Sequence, residues 1–259
     1  MNKTAAVIGA LASAAVLTAC GPDDSMTTGG GSSSITATSS AAGAASTATA
    51  TSVAGSPRTD ETATFTATTL HLEGDGYKLD VPQVSGGKAD ARAEFNQGMR
   101  AGAQEWIDRI SGPGDSVTGG SDSQVVHIGA HVLSGHLVTI MYSAGAAHPN
   151  SFDSAHVTNV DTGTAITLSD LFTDLQQGLD VLSTQAQTLV EQNPRAAGYS
   201  KSQLTPVAEH FRTWVATPEG MKIYLGEIAS HAAGNIDITV PWSALDGVLK
   251  PGMRAVVGS

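Results

Sequence analysis

Residues 142–172, YSAGAAHPNSFDSAHVTNVDTGTAITLSDLF, constrain the fold more than any other part of the chain. The segment joins the end of an apolar strand pattern, a small-residue turn carrying His148, a second strand candidate, a Thr/Gly turn and a helix start. The hydrophobic repeat therefore changes within one segment from two residues to between three and four, which belongs at the centre of a mixed α/β unit.

Upstream, residues 124–142 read as a hairpin, with strands over 125–132 and 137–142 and Ser134-Gly135 as its turn. Its second strand is apolar on both faces and is expected to be central. Residues 63–72 predict one Thr-rich strand, bulged where Phe65 and the pair Leu70 and Leu72 change parity. A turn at 73–76 leads to a short strand over 77–81, stopped by Pro82. Over 88–110, Ala91, Phe95, Met99, Gly102, Trp106 and Ile110 form a helical stripe, with Gly102 placed for close approach to a sheet. Residues 111–123 read as a loop.

Downstream, Leu175, Leu179, Leu182, Ala186, Leu189 and Val190 define a second amphipathic helix over 174–192, with Ser169 or Asp170 capping its opening turn and Asn193-Pro194 ending it. A short helix is expected within 201–211 and strands over 212–216 and 221–225, joined by a turn at 217–220. A helical bridge over 227–233 precedes a half-buried strand at 236–240 and a final helical turn through Leu245 and Val248. These elements predict an α+β fold, a mixed or antiparallel twisted sheet packed by two main amphipathic helices. Its halves would be 60–150 and 151–259 of one compact unit.

The first part of the chain has another character. Residues 1–19 carry Lys3, an apolar stretch over 5–16 and small residues before Cys20, the pattern of an export signal. Leu17-Thr18-Ala19-Cys20 resembles a bacterial lipobox, which implies lipidation of Cys20 and attachment to the outer face of the cell membrane. From Cys20 to residue 59 the chain is Ser, Thr, Ala and Gly with almost no large apolar side chain, so it is expected to act as a flexible tether. Cys20 is the one cysteine, which leaves the folded part without an intrachain disulfide. With 24 acidic and 13 basic residues the formal charge is -11, which excludes the phosphate-driven component of nucleic-acid binding. The same charge suits a basic extracytoplasmic protein or envelope component as partner.

Three segments resemble a family of bacterial extracytoplasmic domains of unknown function. Its members occur in secreted mycobacterial immunogenic proteins, in the outer part of lysozyme-responsive anti-sigma factors and beside some peptidoglycan deacetylases. The segments are Tyr77-Lys78-Leu79-Asp80-Val81-Pro82-Gln83-Val84-Ser85-Gly86 with Phe95-Asn96; Tyr142, Gly145, Ala147 and His148 with Leu168-Ser169-Asp170-Leu171-Phe172; and Glu219-Gly220-Met221 through Val240-Pro241-Trp242 and Leu245. The resemblance implies a protein-binding or wall-facing module. The family's usual Gly-Gly before Ala-His is Gly145-Ala146 here, so a different turn is expected, and His231 stands where the family often has an aromatic residue.

Eight histidines raise the question of a metal. His127 and His131 share a strand parity and His136 lies across the expected hairpin, but there is no HExxH motif and no metal or cofactor is expected. His148, Ser151, Asp153, His156 and Asp161 supply the residue types of a nucleophilic triad within one segment, without a GxSxG elbow. No catalytic residue is assigned, and a cell-wall hydrolase is the third choice. The first is a surface-anchored binding module whose surface includes Tyr142, His148, Tyr224 and His231, and the second is a small-ligand or lipid carrier.

Overall fold

The computed structural model describes residues 64–259, so the expected signal segment, Cys20 and the tether lie outside the described residues. The ordered part opens with a hairpin of β1 (Thr66–Gly74) and β2 (Tyr77–Ser85), paired without interruption from Thr66 opposite Ser85 to Gly74 opposite Tyr77. The expected bulge is absent from this pairing, because Phe65 precedes the ladder and Leu70 and Leu72 keep one parity within it. Pro82 does not stop β2. The next strand, β3 (Ser116–Gly119), meets β2 only at Tyr77 and Lys78, so Pro82 sits where the far edge has no ladder to lose. The segment read as a loop thus contains a strand, anchored by the fully buried Val117.

Helix α1 (Ala89–Ile107) follows β2 and buries Ala91, Phe95, Met99, Ala103 and Trp106 on one stripe. Beyond β3 come β4 (Gln124–Ile128), β5 (Val132–Tyr142), β6 (Asn150–Asn159) and the short β7 (Thr164–Ala165). The sheet runs β1-β2-β3-β5-β6-β7, with β4 also on β5, and its one parallel pair is β2 with β3. As expected, β5 is central. The turn between β4 and β5 falls at residues 129–131, however, and Ser134-Gly135 lies inside β5. Two small residues there read as a turn, but each makes room for a neighbour. A Cβ on Gly135 would stand 2.6 Å from Met99 Sδ and 2.7 Å from Phe95 Cζ, so its bareness lets α1 seat on β5. Ser134 faces the other way, and its Oγ accepts a hydrogen bond of 3.0 Å from the Ala216 amide.

The remaining elements are α2 (Leu168–Leu171), α3 (Leu175–Glu191), α4 (Ala208–Phe211), β8 (Trp214–Ala216), β9 (Gly220–Gly226), β10 (Ile236–Pro241), α5 (Trp242–Leu245) and α6 (Met253–Val257). The caps differ from expectation. Thr167 and Asp170 form a capping box on α2, while α3 begins separately at Asp174, whose carboxylate accepts from the Gln177 amide at 2.9 Å. Within 201–211 one helix gives way to a 3-10 turn at Lys201–Leu204 and α4, since Pro206 between them lacks an amide donor. In the 227–233 bridge only His231–Ala233 is helical, as a 3-10 turn.

Strands β8, β9 and β10 form a second, antiparallel sheet in the order β10-β9-β8. The fold is α+β as expected, with two sheets in place of one. Its apolar interior has two clusters. One gathers Phe95, Met99, Leu133 and Leu137 under α1; the other gathers Val132, Val157, Leu182, Phe211, Trp214 and Trp242 around α3 and the second sheet. Each fully buried large side chain among these contributes on the order of 2 kcal/mol. The division anticipated at residues 150 and 151 falls at the first two residues of β6, inside the β5–β6 hairpin that both clusters share.

Candidate functional site

Alternation along β5 and β6 sorts their polar side chains between the two faces. Phe152, Ser154, His156 and Thr158 turn toward α1: Phe152 stacks on Trp106 at 4.0 Å, Trp106 Nε1 donates to Ser154 Oγ at 3.2 Å, and His156 Nε2 meets Glu94 Oε1 at 2.8 Å. Thr158 donates its hydroxyl to the other oxygen of Glu94. Gly98 gives His156 its place, since a Cβ there would collide with the imidazole. This is the close helix-to-sheet approach that Gly102 was expected to provide, while a Cβ on Gly102 would meet Ser154 Cβ at an ordinary 3.4 Å.

Asp153 and His136 turn the other way, toward the second sheet. His136 Nε2 lies 2.8 Å from Asp153 Oδ1, and the Asn235 amide donates to Asp153 Oδ2 at 2.7 Å. Both partners of the His136–Asp153 pair are almost completely buried. The Tyr224 ring, delivered by β9, covers the pair: its centroid is 3.7 Å from that of His136 and the planes differ by 6°. Lys222, two residues away on the same strand, places Nζ 5.1 Å from the Tyr224 centroid and 3.2 Å from Asp237 Oδ2.

Clefts of 420 Å³ and 580 Å³ open beside Tyr224, and Ser151, Asp153, Tyr224 and Glu227 line both. The smaller also receives Asp122, Asp237, Lys222 and Arg195, with the Arg195 guanidinium donating to the carbonyls of Ala233 at 2.7 Å and Asn235 at 3.2 Å. Carboxylates thus outnumber cations in it. Burial raises the pKa of the Tyr224 hydroxyl first, and the negative charges of Asp237, Asp153 and Asp122 raise it further. An uncharged phenol ringed by carboxylates can donate a hydrogen bond, and the carboxylates favour a cationic group beside its ring.

The four residues expected to share a surface are distributed as follows. His148 and His231 stack, with centroids 4.5 Å apart, and His231 Nδ1 lies 2.9 Å from Glu227 Oε2, which ties the stack to the cleft wall. Tyr224 is in the wall itself. Tyr142 lines neither cleft; it stands six residues beyond His136 on β5, about 20 Å along the strand. The turn before His148 is closed by the Ala146 amide on the Ser143 carbonyl at 2.9 Å, and its positive φ of 85° falls on Gly145. Ala146 therefore spares the turn the left-handed step at its own position.

The triad constellation of 148–161 comes apart in the fold. Asp153 goes to His136, His156 to Glu94 and Asp161 to His131, whose Nδ1 is 2.8 Å from Asp161 Oδ2. The three histidines weighed for a metal diverge as well, since His127 Nε2 meets the Ser259 carbonyl at 2.6 Å. Among the described residues no group of three His, Cys, Asp or Glu side chains is arranged to hold a metal ion. Lys222, Asn235 and Asp237 were missed by sequence reasoning. The alternation of Asp237 with Ile236 and Ile238 was the available signal, and it gave a face without a neighbour.

Residues 169–243 match the family model described as "Protein of unknown function (DUF3298)". The span includes Lys222, Tyr224, Glu227, Asn235 and Asp237, and excludes His136 and Asp153. No curated protein matches the chain. Among solved structures, a member of the duf3298 family from Bacteroides fragilis is similar at 15% identity, a TM-score of 0.50, and coverage of 75% of this chain and 96% of that one. A DUF3298 family protein from Pseudomonas aeruginosa is similar at 14% identity, a TM-score of 0.45, and coverage of 74% and 95%. The Bacteroides likeness establishes a shared fold.

Proposed function

We propose that the whole ordered unit, beyond residues 169–243, is a DUF3298-type extracytoplasmic binding module held at the outer face of the bacterial membrane by a lipid on Cys20. Its partner is a basic protein or envelope component taken up at the Tyr224 clefts. The observation that carries this reading is the Tyr224 ring, open to two clefts and surrounded by Asp122, Asp153 and Asp237. His136 and Lys222 already cover the ring, so an incoming lysine or arginine side chain is held by the carboxylates at the rim, with the Tyr224 hydroxyl beside it. The net charge of -11 favours the approach of such a partner.

Against the carrier alternative stands the packing of α3. Leu182 and Ala186 are fully buried, Leu179 and Val190 nearly so, and a Cβ on Gly178 would collide with the Phe172 ring, so the helix lies directly on the core. Among the described residues no helix is long and apolar enough to cross a membrane.

The test is capture from envelope extracts by the soluble fragment beginning at Asp60, with mass spectrometry of proteins and extracted lipids. A basic protein or envelope polymer captured by this fragment, lost on Tyr224→Ala and displaced by salt, is the expected result. A captured lipid, or capture indifferent to Tyr224→Ala, would replace the reading. Cys20→Ala should release the full chain from the membrane fraction; retention without palmitate labelling would remove the anchor.

A further inference from the structure

Among the described residues, the edge of β6 that faces away from β5 is paired only at its far end, where β7 meets Thr158 and Asn159. The register with β5 runs without a shift from Asn159 opposite Val132 to Asn150 opposite Met141, so main-chain directions alternate strictly. The Val157 carbonyl points outward, since it accepts the Ile166 amide at 2.8 Å from outside β5. By that alternation the amides and carbonyls of Ala155, Asp153 and Ser151 point outward too. Among the described residues no neighbouring strand pairs with them and no turn or side-chain hydrogen bond reaches them. The strand is half-buried over residues 151–156, and the edge is recessed between α1 on one side and α4 with the start of β8 on the other.

We infer that this edge takes an extended polypeptide segment of a partner protein as an added strand, hydrogen-bonded to Ser151, Asp153 and Ala155. The shape of the recess favours a single segment. A second copy pairing through the same β6 edge would have to bring its own α1 and α4 into the trough, whereas one strand fits between them. Along α1 the groove is walled by the small residues Gly98, Ala101 and Gly102, with Glu105 and Trp106 at one end. Toward Val157 the groove deepens into a hollow of 410 Å³ lined by Leu168, Leu175 and Trp214, which suits aliphatic side chains. Toward Ser151 it reaches Asp153 and Glu227, whose side-chain partners are histidines and an amide, while Arg109 and Arg212 of the same cleft pair with Glu105 and Glu209, so a basic residue fits that end. The occupant is thus basic at one end and aliphatic at alternate positions at the other, in the manner of strand addition to an open sheet edge. Placement of the basic end rests on the reading of the Tyr224 clefts; the ladder does not.

The probe is a random nine-residue peptide display library, selected on the full chain. Enriched peptides should slow amide exchange across residues 151–155 at least about tenfold on binding. Ala155→Pro removes one outward amide without touching the β5 ladder, and Ala101→Trp fills the groove from an exposed helix position. Each should weaken the enriched peptides at least about tenfold while the melting temperature stays close to that of the parent chain. Tyr224→Ala should cost the preference for a basic end and leave the ladder peptides bound, which separates failure of the cleft reading from failure of this one. No enriched peptide, or peptides that keep full affinity in Ala101→Trp, overturns the inference. A concentration-dependent dimer abolished by Ala155→Pro would overturn it in favour of a second copy.

Discussion

Tyr224 lies flat on His136, ring on ring at 3.7 Å, and the two come from different sheets. The contact closes the cleft floor and joins β9 to β5. Tyr224→Ala should lower stability by about 2 kcal/mol through the lost stack and burial. Tyr224→Phe keeps the ring and should stay within about 0.5 kcal/mol. Urea unfolding distinguishes them; equal losses would place the effect in the hydroxyl.

Alkaline pH should also report on Tyr224. Burial and the nearby carboxylates raise the pKa of its hydroxyl above the ordinary 10.0, so above that pH the unfolded chain releases a proton that the folded chain retains. The stabilisation is complete below pH 10.0 and is lost as pH climbs through the higher folded value. Melting temperatures measured across that range should fall more steeply for the parent chain than for Tyr224→Phe. Parallel curves would contradict the assignment.

Acid pH should report on Asp115. Its carboxylate accepts the Ala144 amide at 2.8 Å and the Ser111 amide and hydroxyl at 3.0 Å and 2.8 Å, which lowers its pKa from 3.8 to about 2. The stabilisation is present above pH 3.8 and is lost as pH falls toward about 2. Asp115→Asn should flatten the acid limb of the melting curve; an unchanged limb would show that these hydrogen bonds do not persist in solution.

Ser134→Ala leaves the buried Ala216 amide without its acceptor and should cost about 2 kcal/mol. Calorimetry on the variant and on Ser134→Thr, which retains a hydroxyl, separates the missing acceptor from simple loss of volume. A loss below about 0.5 kcal/mol in Ser134→Ala would show that the amide finds another partner.

Gly135→Ala should cost about 2 kcal/mol, because the added methyl must displace Met99 or Phe95. A neutral result in thermal unfolding would mean that Met99 gives way.

Much of the fold was legible because it rests on local repeats. The α1 stripe of Ala91, Phe95, Met99 and Trp106 and the alternation of Ile236, Ile238 and Val240 are patterns that any burying partner would require. What stayed hidden depends on neighbours. Ser134 and Gly135 have the composition of a turn, and only the nearness of Ala216 on one side and Phe95 on the other explains small residues in mid-strand. The candidate site was half legible for the same reason. Tyr224, His148 and His231 stood out as side chains, whereas the meeting of His136 with Asp153 and Asn235 joins positions far apart in the chain. Tyr142 was grouped with them from its place in a motif, and strand geometry carries it about 20 Å from His136.

The β5–β6 ribbon carries an apolar cluster on each of its faces, and this bears on how the protein can be taken apart. A fragment ending before β6 would keep α1 but lose half the floor beneath it, and a fragment beginning there would lack the strand that holds Val132 and Ser134. Recombination between relatives would meet the same obstacle, since a crossover at this point separates two strands that must be matched residue by residue. Inheritance should therefore treat the ribbon and its two coverings as one exchangeable block, even though a recognisable sequence signature occupies only the later part of it.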